Sequence, residues 1–113
     1  MSKDFARFDL DAEIRDSESR KPWSSAKHSK TLVKNEDLRV VLFTMESGAT
    51  LKEHLAPGSI TVQVLRGEIR FSAQDHDRSL RTGELLTLGP SISHAVESVG
   101  DSVFLLTISW PST

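Results

Sequence analysis

Two histidines are the residues of this chain with the clearest capacity for chemistry. His54 and His94 each carry an imidazole, which can bind a transition metal through a ring nitrogen or act as an acid or base near neutral pH. The chain has no cysteine, which excludes disulfides, thiolate ligands and cysteine nucleophiles. His28 lies in a polar segment and His76 in a charged run, residues 74–78, and we expect both imidazoles to be solvated.

Short β-strands are the elements that must position these imidazoles. Alternating and β-branched runs are separated by turn signals such as Asn35-Glu36-Asp37, Pro57-Gly58 and Gly89-Pro90. They predict strands at residues 31–34, 38–45, 51–55, 60–66, 69–73, 79–82, 85–88, 93–98 and 102–110, with turns at Gly67 and Gly100. This spacing is typical of an all-β sandwich or barrel. We assign residues 30–113 to one barrel domain and residues 1–29 to a mostly irregular arm that packs on it or on a neighbouring subunit.

The glycines around the two histidines carry a family resemblance. The first segment reads Gly48-x5-His54-x-Ala56-x3-Ile60-x6-Gly67, and the second reads Gly83-x10-His94. Residues 68 to 82 separate them, and together they resemble the two sequence motifs of the cupin superfamily. The resemblance covers about residues 31 to 110. It implies an antiparallel double-stranded β-helix, or jelly-roll barrel, with His54 and His94 as metal ligands near its mouth.

The chain departs from the cupin motifs at their other ligand positions. Ala56 stands where the family has a second histidine, and Ile60 where it has a glutamate, or Thr61 in the longer variant. Two imidazoles would supply about half of the roughly 10–16 kcal/mol of a four-ligand zinc site, so Kd would lie between about a hundred and a few micromolar. We therefore expect at most one weakly held divalent ion (Zn, Fe, Mn or Ni) and otherwise no cofactor.

Strand alternation predicts which side chains share the pocket with the histidines. Ile60, Val62 and Val64 fall on the inner face of one strand, with Thr61 and Gln63 on the outer face. A bulge near Pro57-Gly58 would reverse this and turn Gln63 inward. The same alternation from His94 turns Val96 and Ser98 inward and Glu97 outward. The predicted ligand-binding residues are therefore His54, Ile60, Val62, His94, Val96 and Ser98, in an otherwise apolar pocket.

Charge and apolar patterning limit the partners. A formal net charge of −2 gives no reason to expect binding to nucleic acid. Residues 1–16 lack the apolar core of a secretory signal, and no window is long and apolar enough for a membrane span, so we expect a cytoplasmic protein. Residues 40–43 and 103–110 are apolar on both strand faces and need cover on both, which predicts a homodimer.

Three kinds of function fit these residues. The first is a binding protein that holds a small molecule in the apolar pocket, with His54 and His94 at its mouth. The second is a metal-dependent enzyme of dioxygenase, isomerase or lyase type that uses the two imidazoles as ligands. The third is a metal-free enzyme in which an imidazole is the acid or base, as the resemblance to sugar-epimerase cupins implies. The binding protein is our leading hypothesis and the two enzymes are the alternatives; the catalytic residues stay unassigned beyond these two histidines.

Overall fold

The fold consists of seven β-strands that follow one α-helix. The computed structural model describes residues 5–110. Helix α1 spans Leu10–Ser19, and a 3-10 helix spans Ser24–Ala26. The strands are β1 (Lys27–Lys34), β2 (Leu38–Met45), β3 (Thr50–His54), β4 (Ile60–Ala73), β5 (His76–Arg81), β6 (Leu85–Leu88) and β7 (His94–Ser109). Across residues 5–110 no helix has the length and apolar character needed to cross a membrane.

The strands form two layers that share the long strands β4 and β7. These two strands run antiparallel along most of their length. The first half of β4 pairs with β6 and with the end of β7, and β7 continues to β2 and β1. We call this group the first layer. The second half of β4 pairs with β5 and with the start of β7, which also pairs with β3; this group is the second layer. The predicted antiparallel jelly-roll barrel is therefore confirmed.

A bulge at Gly67 joins the two halves of β4. The register with β7 shifts on both sides of Arg66, so the strand passes from one layer to the other without ending. Gly67 has a φ of +79°, and a Cβ there would lie 2.2 Å from the carbonyl oxygen of Asp101. The predicted turns at Gly67 and Gly100 are wrong, because Gly67 lies inside β4 and Gly100 inside β7. Each of these strands joins two predicted ones, so the nine predicted strands become seven.

The main core fills the space between the two layers. Even-numbered residues of the first half of β4 point inward, and Val62 and Val64 are at most 1% exposed. Beyond the bulge the odd-numbered residues point inward, and Ile69 and Phe71 are buried. Phe104 of β7 stacks against Phe43 of β2, with 4.9 Å between the ring centroids. Because this core draws on both layers, it fixes how they face each other at the barrel mouth.

Helix α1 covers part of the outer face of the first layer. It begins after Asp9, whose carboxylate accepts a hydrogen bond of 3.1 Å from the backbone N–H of Ala12. It extends to Ser19. Ile14 is 2% exposed and packs in a second apolar cluster with Leu42 and Val103.

The same helix bears on the argument for a dimer. Strands β2 and β7 are apolar on both faces, and one molecule covers part of the outer face with its own Ile14. The need for a second subunit as cover is therefore smaller than the sequence indicates. The homodimer stays a prediction.

The segment between α1 and β1 packs around Trp23. Its indole N–H donates a hydrogen bond of 2.9 Å to the carbonyl oxygen of Ser17 at the end of α1. The imidazole of His28 stacks against the indole, with 6.2 Å between the ring centroids, and is half-buried. The expectation that His28 is solvated is therefore wrong, because Trp23 folds over it.

Candidate functional site

His54 and His94 lie side by side at one end of the barrel. His54 ends β3 and His94 begins β7, and the two residues are directly paired between the antiparallel strands. Their ring centroids are 4.3 Å apart, with 62° between the ring planes. His94 is 3% exposed, whereas His54 is exposed to solvent. The strand pairing therefore unites two imidazoles that are 40 positions apart in sequence, one of them exposed and the other buried.

The backbone fixes the tautomer of both imidazoles. Nδ1 of His54 lies 2.9 Å from the carbonyl oxygen of Lys52, and Nδ1 of His94 lies 3.0 Å from that of Ile92. A carbonyl oxygen can only accept a hydrogen bond, so Nδ1 carries the proton and donates in each ring. The lone pair of each neutral imidazole is then on Nε2. This arrangement suits a metal ligand, a proton acceptor or a hydrogen-bond acceptor for a bound molecule.

Packing keeps His94 neutral. Burial lowers the pKa of His94 from its ordinary value of 6.5; the hydrogen bond to Ile92 opposes this, and the positive charge that His54 can carry adds to it. Phe71 covers the imidazole of His94, with 5.4 Å between ring centroids and 14° between ring planes. At pH 7 the buried imidazole is therefore mostly uncharged, and its Nε2 is available to accept a proton or a hydrogen bond.

The donors around this pair do not complete a metal site. Ala56 and Ile60, at the other ligand positions of the cupin motifs, have no donor atom in their side chains and are 8% and 2% exposed. Within residues 5–110, no group of three or more His, Asp or Glu side chains is arranged to hold an ion. Transition-metal sites in proteins use three or four donors. The two imidazoles alone therefore do not fit the donor set of a resident transition metal.

Most of the other predicted ligand-binding residues lie in the core. Ile60, Val62 and Val96 are 2%, 1% and 4% exposed and pack in the main cluster between the layers. Gln63 and Glu97 are exposed on the outer faces, as alternation from Ile60 and from His94 predicts. The bulge comes after Val64 and leaves this part of the pattern unchanged. Contact between these residues and a ligand stays a prediction.

Ser98 lies away from the histidine pair. Its hydroxyl donates a hydrogen bond of 2.5 Å to the carbonyl oxygen of Gly100 and lies 2.6 Å from the hydroxyl of Ser102. Four residues of extended strand separate it from His94, about 13 Å at roughly 3.3 Å per residue. The structure thus groups Ser98 with Gly100 and Ser102, and brings together His54, His94 and Phe71 at the mouth.

A cleft next to His94 is a feature that sequence reasoning missed. It has a volume of about 250 Å³ and opens between β5 at the edge of the second layer and β6 at the edge of the first. Its walls include Phe71, Ala73, His76, Arg78, Leu86 and Leu88. Ala73 is directly opposite His94 on one side and His76 on the other. Phe71 and Ala73 therefore connect the cleft to the histidine pair.

The sequence contains an indication that two of these residues, His76 and Arg78, lie on a strand. The run from Gln74 to Arg78 contains four polar or charged residues in addition to His76, and such a run predicts a solvated turn. In the structure His76 already belongs to β5, and Arg78 follows two residues later on the same face as buried Leu80. Both side chains are exposed, but they lie on the inward face of the second layer at its open edge. The indication is the two-residue spacing of His76, Arg78 and Leu80, which places all three side chains on one face of a strand.

Comparison with solved structures places this architecture among the cupins. A cupin superfamily protein from Desulfitobacterium hafniense matches with a TM-score of 0.76 and 19% identity, covering 80% of this chain and 84% of the other. A conserved protein of unknown function from Streptococcus pyogenes matches with a TM-score of 0.75 and 24% identity, covering 80% of both chains. A cupin 2 conserved barrel domain protein from Leptotrichia buccalis matches at 0.74 with 29% identity, over 82% of this chain and 45% of the other.

The matches define the class of protein by its fold. This chain has the cupin fold, a double-stranded β-helix, as the resemblance of its glycine and histidine spacing implies. No protein-family model matches the sequence. No curated protein matches it either. The fold alone does not assign an activity, which must be argued from the histidine pair and the cleft beside it.

Proposed function

We propose that the mouth of this barrel binds a small organic molecule that donates a hydrogen bond to the histidine pair. The observation that carries this proposal is the pair of Nδ1–H donations to the Lys52 and Ile92 carbonyls, which leave an Nε2 acceptor on each ring. Neither Nε2 has a hydrogen-bond partner among the described residues. A hydroxyl or ammonium group of a ligand is the complement to two such acceptors.

The surroundings of His94 support a ligand of modest size and mixed character. The aromatic ring of Phe71 stacks on the imidazole and also lines the cleft, together with Leu86 and Leu88, so part of the ligand would be covered by carbon. Small-molecule sites commonly combine apolar walls with a few convergent polar groups. The cleft of about 250 Å³ is smaller than the roughly 300–1,000 Å³ typical of sites for drug-sized molecules, which favours a small metabolite.

Metal-free acid–base chemistry is the second candidate function. His94 has its pKa lowered by burial and stays neutral at pH 7, so its Nε2 can accept a proton from a bound substrate. The imidazole of His54, 4.3 Å away between centroids, is exposed to solvent. These two environments, one buried and one exposed, favour an acid–base role for the pair. A metal-dependent enzyme requires at least one further donor from a substrate or from elsewhere.

A thermal-shift screen tests the binding proposal. The probes are monosaccharides, small hydroxy acids and small amines, each added to wild type, His54→Ala and Lys52→Ala. Lys52 is an exposed neighbour on the same strand, so its replacement is the matched control. A ligand at 100 times its Kd stabilises the fold by about 2.7 kcal/mol, which raises Tm by roughly 10 °C at this size. We expect a shift that His54→Ala abolishes and Lys52→Ala retains.

Two outcomes would contradict this proposal. In the first, no probe raises Tm in wild type. In the second, every shift persists in His54→Ala. The metal alternative is tested in the same assay by adding Mn, Fe, Ni or Zn to chelator-free protein. A rise in Tm that is lost in both His54→Ala and His94→Ala would favour the metal-dependent enzyme.

A further inference from the structure

The cleft beside the histidine pair carries an unbalanced positive charge. Phe71 is directly opposite Arg78 across β4 and β5, and side chains of directly opposed residues lie on the same face. Because Phe71 faces the core, the Arg78 side chain emerges on the inward face at the open edge of the layer. No acidic side chain is among the residues that line the cleft within the described part of the chain. The guanidinium of Arg78 is therefore the principal charge of this wall.

Arg78 differs from two nearby arginines, Arg70 and Arg81, because those two form ion pairs with carboxylates. Arg70 pairs with Asp77 at 3.6 Å, and Arg81 pairs with Glu68 at 3.6 Å, both on the outer face of the layer. Arg78 forms no ion pair with any carboxylate of residues 5–110. Its contacts are a 3.3 Å hydrogen bond from Nη1 to the Asp77 carbonyl oxygen and a 3.4 Å approach of Nη2 to Nδ1 of His76. Donors of the guanidinium fork thus remain available to an anion.

The opposite wall of the cleft is mostly apolar, with Thr87 as its one polar side chain among the described residues. Leu86 and Leu88 are half-buried on β6, where they pair with Val62 and Ile60 and so share the inward face of the first layer. Phe71 forms the floor between them and His94. A ligand here meets a cation on one side and aliphatic and aromatic carbon on the other. Inorganic anions would lack the second contact, and neutral apolar molecules would lack the first.

We infer that this cleft binds a small organic monoanion whose carboxylate pairs with Arg78 and whose flat or short apolar body lies against Phe71, Leu86 and Leu88. The inference rests on the proposed function and deepens it, because the same ligand could present its hydrogen-bond donor to His94. An exposed ion pair alone contributes little affinity in water. Binding therefore needs the carboxylate and the apolar body together, and this requirement makes the ligand class testable.

Benzoate and benzamide form a matched probe pair, because they share size and shape and differ in charge. Binding is followed by NMR titration of ¹⁵N-labelled protein, with the amides of Phe71, Arg78 and Leu86 as reporters. We expect benzoate to bind at least ten times more tightly than benzamide or acetate. Arg78→Gln should weaken benzoate at least fivefold and leave benzamide unchanged. Arg81→Gln is the control, since Arg81 lies on the same strand and pairs with Glu68 on the outer face.

The possible outcomes separate the two proposals. Equal affinity for benzoate and benzamide, or an equal loss with Arg81→Gln and Arg78→Gln, would overturn the anion site. Loss of benzoate binding with Arg78→Gln but not with His54→Ala supports the cleft even if the screen against the histidine pair finds nothing. If the screen finds a ligand that depends on His54 while benzoate fails to bind, the proposed function stands and the organic-anion class is wrong.

Discussion

The replacement of Gly67 by alanine tests how the two layers of the barrel are joined. The added Cβ would lie 2.2 Å from the carbonyl oxygen of Asp101 and 3.1 Å from the Cα of Ser102, both backbone atoms of β7. Neither atom can move away by a side-chain rotation. The residue also has a φ of +79°, a conformation that costs an L-residue about 1–2 kcal/mol. Relief of the clash requires a backbone shift. Overpacking that forces such shifts typically lowers the unfolding free energy by about 1–3 kcal/mol.

Gly83→Ala provides the matched control for this experiment. Gly83 has a φ of +87°, but a Cβ there would have no atom within 4 Å. It therefore carries the cost of the left-handed backbone without the clash. Both substitutions remove the same freedom from the unfolded chain, so that contribution cancels between them. We expect Gly67→Ala to lose about 2–5 kcal/mol of unfolding free energy and Gly83→Ala about 1–2 kcal/mol.

Urea denaturation followed by circular dichroism measures both variants. A difference of about 1–3 kcal/mol between them corresponds to roughly 4–12 °C in Tm for a chain of this length. Similar m-values would show that the two variants unfold from comparable native states. If the two losses agree within about 0.5 kcal/mol, β7 does not approach Gly67 closely, and the described join between the layers is refuted.

Two further predictions concern pH and the packing of α1. Burial lowers the pKa of His94, so the imidazole binds a proton more tightly in the unfolded chain than in the folded one. The unfolding free energy is therefore highest above pH 6.5 and falls as the pH drops toward the lowered pKa. Urea melts at several pH values should show this fall in wild type and a smaller one in His94→Gln; equal falls would contradict the burial of this imidazole. Ile14→Ala removes the buried contact of α1 and should cost about 2–5 kcal/mol, and a change below about 0.5 kcal/mol would show that the helix does not pack on the sheet.

The local alternation of the strands was predictable from sequence. Val62 inward and Gln63 outward follow from side-chain period alone, and so do Val96 inward and Glu97 outward. Strand β2 has the predicted bounds of residues 38–45. The proximity of His54 and His94 was expected from the family resemblance. It depends on strand pairing over 40 residues, which no local pattern encodes.

The predictions failed where one residue type serves two structural roles. Gly67 reads as a turn, because a glycine with positive φ suits a turn and a bulge equally, and only the partner strand decides between them. His76 reads as part of a loop, because its neighbours are charged and the buried Leu80 comes four residues later. Each error comes from a tertiary contact.

The bulge at Gly67 has a consequence for the chemistry of the mouth. It reverses the alternation of the strand, because even-numbered side chains face inward before it and odd-numbered ones after it. Loss of one residue there would exchange Phe71 for Arg70 and Ser72 on the inner face, and the paired strand β5 would present Asp77 in place of Arg78. The character of the cleft, cationic or anionic, thus depends on the length of a bulge that contributes no side chain to it.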